Sequence, residues 1–155
     1  MTGSLGYDED TAFSLADDAA TISALVRRAG PERLRDTRFG DWTALQLIAH
    51  LADSAEIFAE RVRRCVEEHE PVIESFDPDA RMSQFVQADA DPMELSRRML
   101  RAHQSIVQLM QRPGAPERVG THAEWGRVPA AHFAGYQARH SHEHVAELAR
   151  EFPPA

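Results

Sequence analysis

Apolar positions recur at helical spacing in four long segments of the chain, and no segment alternates convincingly in the manner of a half-buried strand. Leu15, Ile22, Leu25 and Val26 form one stripe across residues 11–29, which Gly30 and Pro31 stop. A turn-rich stretch, PERLRDTRFGDW, follows. The second helix has a definite start, because Thr43 and Gln46 spell a T-x-x-Q capping box ahead of LIAHLADSAEIFAERVRRCVEE. Ile48, Leu51, Ala55, Phe58 and Val62 supply its buried face, and Pro71 ends it. Residues 71–91 read as irregular, with Asp–Pro turn signals. Asp91, Pro92 and Glu94 mark the next start, as cap, first-turn proline and closing acid. That third helix runs to about residue 111 and buries Leu95, Met99, His103, Ile106 and Met110. After the loop RPGAPERVGTHAEWGRV, Pro129 opens a fourth helix. It carries Phe133, Tyr136, His140, His144 and Leu148 on one side and stops before Pro153.

Four such helices in 155 residues predict an all-α four-helix bundle, a single domain over residues 1–155. Histidines bear on the helix directions. His140 and His144, four apart, share a helix face, whereas His142 points nearly opposite. His50 lies near the apolar side of helix two, about 10 Å from its start at 1.5 Å per residue. Counted from the near end of an antiparallel helix four, His140 and His144 lie about 16 and 10 Å deep; a parallel helix four puts them at about 16 and 22 Å. The antiparallel arrangement levels the three rings. It requires one crossover, which the long connection at 71–91 can supply, and so an up-down-down-up order is expected.

Composition narrows the function classes. The apolar fraction of 43% and charged fraction of 27% are those of an ordinary soluble globular protein. The net charge is −8 and the 17 Lys and Arg residues are dispersed, which argues against a nucleic-acid surface. No run approaches bilayer length, and MTGSLGYDED has neither a basic n-region nor an apolar h-region, so no membrane partner is expected and a cytoplasmic location is. The lone Cys65 excludes a disulfide framework and a Cys-based zinc ribbon.

Three neutral nitrogens and one open position are what a catalytic divalent metal needs, and His50, His140 and His144 are the candidates to supply them. The plain alternative is a set of partly buried, hydrogen-bonded histidines. His103 also falls on an apolar stripe, as a core residue, a fourth ligand or a support for the others. His122 sits on a loop that could line a pocket, whereas His69, His132 and His142 read as exposed. HSHEH matches H-x-x-E-H formally, but that signature belongs to large peptidases. No pair of Glu-x-x-His motifs, phosphate loop or G-x-S-x-G elbow is present.

Three stretches then resemble one family. DWTALQLIAHLADSAEIFAERVRR looks like the second helix of the DinB/YfiT-like metalloproteins, PVIESFDPDA is similar to their long second connection, and HAEWGRVPAAHFAGYQARHSHEHVAEL looks like their closing segment with its H-x-x-x-H-x-x-x-[IL] ending. The resemblance spans residues 11–152. It implies a four-helix bundle, often a homodimer, with a divalent metal held by His50, His140 and His144. It also implies activity with low-molecular-weight thiols, as S-transferases or isomerases, among some relatives. The resulting expectation is a metal-dependent enzyme of thiol-transfer or related type acting on a small molecule, with zinc, nickel or iron at the site. Asp53 and Glu143 are candidates to orient the ligands, and Phe76, His122 and Trp125 to wall the pocket. The competing expectation is a non-catalytic metal-binding or stress-response bundle acting as a dimer.

Overall fold

The computed structural model describes residues 5–85 and 90–154. Four long helices, α1 (Glu9–Ala29), α3 (Ala44–Glu67), α5 (Pro92–Met110) and α6 (Ala130–Glu151), make the bundle. Two short ones, α2 (Pro31–Asp36) and α4 (Pro78–Phe85), lie in the connections. The α3 start is the one spelled in the sequence: Thr43 Oγ1 accepts from the Gln46 amide while the Gln46 side chain accepts from the Thr43 amide. An equivalent reciprocal cap, Asp8 with Thr11, fixes the start of α1. At α5 Asp91 accepts from the Met93 amide, but Glu94 does not close a box. It pairs forward with Arg97 and Arg101, because an arginine one turn on offers a charge-assisted bond.

Side-chain pairs give the directions. Moving along α3, Ser54 meets Gln137 and Phe58 meets Phe133, so α3 and α6 are antiparallel. Glu56 reaches Arg98 and Glu67 reaches Arg112, so α3 and α5 run parallel. Asp18 meets Ser141 and Arg28 meets the Phe152 carbonyl, so α1 and α6 run parallel. The order is up-down-down-up, as the levelling of the histidines predicts. Each of α3 and α1 packs against both α5 and α6.

The connections hold more structure than the sequence suggests. Five strands are present among the described residues, against the expectation of none. Strands β1 (Arg38–Phe39) and β2 (Trp42–Thr43) form a two-residue antiparallel pair ahead of α3. A second sheet joins β3 (Val72–Ile73), β4 (Val119–His122) and β5 (Gly126–Pro129), with β3 parallel and β5 antiparallel to β4. Strands of two to four residues are too short for alternation to register. Residues 71–91 are likewise not wholly irregular, since β3 and α4 lie within them, and 86–89 fall outside the described residues. No helix among the described residues is long and apolar enough to cross a membrane.

The buried side chains fall into two apolar clusters stacked along the bundle. One gathers Ile22, Leu51, Met99 and Leu148; the other gathers Leu15, Phe58, Ile106 and Phe133. Full burial of each such side chain contributes roughly 1.5–3 kcal/mol. Between the clusters, each long helix contributes buried polar groups: Asp18, Ser54, His103, Gln137 and Ser141. The sequence reading of His132 as exposed needs correction. The segment before α1 crosses α6 and covers it, with the Leu5 amide donating to His132 Nδ1 at 2.9 Å. That crossing requires Gly135, where a Cβ would stand 2.5 Å from the Gly6 carbonyl oxygen.

Candidate metal centre

Helix α3 presents His50 one turn below Ser54, and α6 presents His140 and His144 one turn apart. Their antiparallel packing brings the rings to one level. His50 Nε2 lies 3.2 Å from His140 Nε2, and one ring nitrogen from each histidine falls within 4.8 Å of the others. Ring centroids stand 4.7–5.5 Å apart with the planes nearly perpendicular. Nitrogens bonded at 2.0–2.1 Å to a tetrahedral zinc stand about 3.3 Å apart, the spacing His50 and His140 already have, with His144 within reach of the same point. Trp42, carried in by β2, packs at 5.0 Å from the His50 ring.

Burial keeps the His50 and His140 rings neutral. Burial pushes the pKa of His50 down to about 4, and the neighbouring His144 adds to the effect against an opposing pull from Asp53. Burial, then His50 and His144, push His140 down to about 3. Neutral imidazole is the form that ligates.

A hydrogen-bond chain through the polar layer fixes the tautomer of His140. His103 Nδ1–H donates to the Leu15 carbonyl at 2.7 Å, so His103 Nε2 accepts, and the Gln137 amide nitrogen donates to it at 3.0 Å. Gln137 Oε1 then accepts from Ser54 Oγ at 3.2 Å. The remaining Ser54 lone pairs face His140 Nδ1 at 3.4 Å, which leaves that nitrogen as the donor and Nε2 bare. His144 reaches the same state by a shorter route, donating Nδ1–H to Glu147 Oε1 at 3.1 Å. Both bare Nε2 atoms are thereby set before anything binds.

Beyond the rings opens a cavity of about 190 Å³ between α3, α6 and the loops of the second sheet. His50, His140 and Ser54 form one end of its lining; Phe76, His122 and Trp125, the three residues named as pocket wall, lie along it with Phe58, Arg61 and Tyr136.

The family model of the DinB superfamily matches residues 14–148. The chain belongs to the DinB superfamily. A protein of Oceanobacillus iheyensis, provisionally named a metal-dependent hydrolase, is 30% identical over 114 residues, spanning 72% of this chain and 65% of its own length. The chain is similar in fold to YfiT from Bacillus subtilis, described as a probable metal-dependent hydrolase with an unusual four-helix bundle topology. The TM-score is 0.76 at 22% identity, covering 99% of this chain and 97% of that one.

Within this DinB bundle the two acids named from sequence do not touch the rings. Asp53 spends both carboxylate oxygens on Arg81 of α4 and reaches the centre only through its field on His50. Glu143 is exposed on the outer face of α6. The supporting positions fall instead to Ser54 and Glu147. Glu147, three residues after His144, was open to detection as an i, i+3 partner. Ser54 was not, since its role depends on the packing of α3 against α6. His103 has both nitrogens engaged and is no fourth ligand. Cys65 lies buried against Gly120 in the other half of the molecule, its thiol pushed up to about 11 by burial.

Proposed function

We propose that this DinB protein is a metal-dependent enzyme acting on a small molecule, with His50, His140 and His144 as the metal ligands. The observation that carries the reading is three imidazoles converging on one point beside a cavity that His50 and His140 line, two of the three with Nδ1 already committed. Among the described residues no fourth side chain joins the set, which leaves a position for water or substrate. A divalent cation bound there supplies a Lewis acid that lowers the pKa of a water or a thiol, giving a nucleophile near neutral pH.

The chain's own residues do the rest. Ser54 and Glu147 hold two ligand rings in orientation. Phe58, Phe76, Trp125 and Tyr136 exclude bulk water along the cavity, which strengthens every electrostatic contact inside it. A cavity of about 190 Å³ is below the span of pockets that enclose a drug-sized ligand, so it receives a compact substrate or only the reacting end of a longer one. The second case suits transfer to a low-molecular-weight thiol, and the first suits hydrolysis, the activity named for the two relatives. We favour thiol transfer, as the resemblance implies, with a homodimer as the working form. Two features would favour the non-catalytic alternative: a closed coordination sphere with His103 in it, which the engagement of both His103 nitrogens speaks against, and a cavity too small for a thiol, against which about 190 Å³ still receives a thiol's reacting end.

Metal content of the tag-free protein, measured by mass spectrometry beside His50→Ala and His144→Ala, tests the centre. About one metal per chain in the parent and near none in both variants is expected. Absence of metal after reconstitution with zinc, nickel and iron defeats the reading. Parallel assays of thiol transfer and ester or amide hydrolysis on the loaded protein then separate the two chemistries, and light scattering reads the oligomer.

A further inference from the structure

Arg61 is the odd charge in this molecule. It lies on α3, eleven residues beyond His50, and its side chain is only 6% exposed. Its guanidinium is sandwiched between the Phe58 ring at 4.8 Å and the Phe76 ring at 5.3 Å. One of its five donors goes to the Glu74 carbonyl oxygen. Among the described residues it forms no ion pair. Of the carboxylates nearby, Asp53 pairs with Arg81, Glu56 with Arg98 and Glu60 with Arg63, while Glu74 and Glu124 are exposed and form no ion pair with it. A buried charge with no counter-ion is costly unless something else supplies one. The two aromatic faces confine the guanidinium plane, so its free N–H bonds project edge-on, and the side chain lines the cavity of the histidine centre.

A second donor stands beside it. The backbone amides of Glu124 and Trp125 both donate to His122 Nδ1, at 3.1 and 3.2 Å, so in the neutral ring the proton sits on Nε2. His122 is buried and lines the same cavity, and burial together with the charge of Arg61 holds its pKa below the ordinary value. Glu124 also lines the cavity, on its exposed rim, and forms no ion pair with Arg61.

We infer that Arg61 and His122 form an anion subsite in the cavity, set apart from the three imidazoles, and that the substrate carries a carboxylate several bonds from its reacting group. The backbones of His50 and Arg61 are separated by about 16 Å along α3, and the arginine side chain leans back toward Phe58 and shortens that span. An extended acid with its reacting end at the histidines and its carboxylate at the guanidinium fork matches this layout. The position of the reacting group rests on the metal-centre reading; the anion subsite stands on its own residues.

The test starts with metal-free wild-type protein labelled with 15N. Hexanoate and its uncharged counterpart hexanamide are titrated while the Arg61 Nε–Hε resonance, assigned with Arg61→Lys, is followed. A saturable shift with hexanoate and none with hexanamide is expected. Equal responses, or none to either, overturn the subsite. Zinc-loaded protein is then titrated with 6-mercaptohexanoate and 6-mercaptohexanamide by calorimetry. The acid is expected to bind about ten- to hundredfold more tightly than the amide, the scale of hydrogen bonds to a charged group. Arg61→Gln abolishes that preference and Arg61→Lys, which keeps the charge without the fork, reduces it, both with zinc content unchanged. A preference that survives Arg61→Gln overturns the subsite. Should Arg61→Gln not fold, the wild-type resonance and Arg61→Lys decide the matter. A chain that takes up no zinc yet shows the hexanoate shift defeats the metal reading and upholds the anion subsite.

Discussion

His103 and His140 stand at opposite ends of one hydrogen-bond chain and illustrate two fates for a buried histidine. His103 ends on a backbone carbonyl at one nitrogen and an amide at the other, so its hydrogen-bonding capacity is spent. His140 has the same kind of partner at Nδ1, but its Nε2 faces two more imidazoles instead of an amide or carbonyl. Both rings lie on helix faces that turn inward, and both have their pKa lowered by burial. What separates structure from site is whether the second nitrogen has an internal partner with a complementary role. The Nδ1 protons of His140 and His144 leave two Nε2 acceptors. His50, whose tautomer no partner fixes, stands 3.2 Å from one of them and can donate to it; a cation would take the lone pairs of all three instead.

The sharpest way to break this contrast is to exchange the losses. His103→Ala leaves the Leu15 carbonyl and the Gln137 amide without a buried partner and opens a hole, and a cost of about 2–4 kcal/mol in urea unfolding is expected. Zinc stoichiometry should stay near that of the parent. His140→Ala should do the reverse, abolishing zinc uptake while the metal-free fold persists. If His103→Ala loses zinc at full folding, the division between structural and ligating histidines is wrong.

A pH series on the metal-free protein tests the same contrast through linkage. Unfolded histidines take up protons near 6.5, whereas folded His50 and His140 resist until about 4 and about 3. The unfolded state therefore binds more protons throughout that window, and stability falls as pH drops from about 6.5 toward 4. One such histidine accounts for roughly 3 kcal/mol, and since His50 contributes to lowering His140 the two contributions do not simply add. His140→Ala should flatten the profile measured by urea unfolding. An unchanged slope in that variant places the titration elsewhere.

The helices and their directions were legible because they follow from periodicity, caps and the depth of three rings. The same residues, Leu15, Phe58 and Met99 among them, that set the stripe in sequence are buried in the fold. The sheets were not legible, since β3 pairs with β4 across more than forty residues and neither is long enough to leave a pattern. The three-histidine cluster was visible as spacing on α6 plus one inward histidine on α3. Its supports were half visible: Glu147 follows from helix geometry, but Ser54 lines up only after α3 meets α6. Asp53 failed as a support because α4, folded from a stretch without a clear signal, delivers Arg81 to it.

A smaller effect sharpens the role of the chain that ends on His140. Ser54→Ala removes the acceptor for His140 Nδ1–H and the donor to Gln137 while leaving all three ligands in place. Loss of such an outer partner typically weakens metal binding about 10- to 100-fold. Competition titration with a zinc chelator should show a drop of that size at unchanged stoichiometry, and Glu147→Gln should weaken binding through His144 in the same direction. Wild-type affinity in Ser54→Ala would mean that packing alone orients His140.

The smallest effect belongs to Glu143, which sits between the two clustered histidines of α6 in sequence and so looks like their natural companion. Helix geometry points it away: three residues after His140 its side chain could brush that ring's edge, yet it stands exposed, and no hydrogen bond joins it to any ring of the cluster. An exposed carboxylate at this range acts on the centre only through solvent, where screening cuts the interaction of two charges to about 1 kcal/mol or less. Glu143→Ala should therefore leave zinc affinity within about twofold of the parent, with no change in the pH profile. A loss approaching that of Ser54→Ala would show that proximity along the helix outweighs the hydrogen-bond chain, and the distinction drawn between His103 and His140 would have to be redrawn around charge instead of partners.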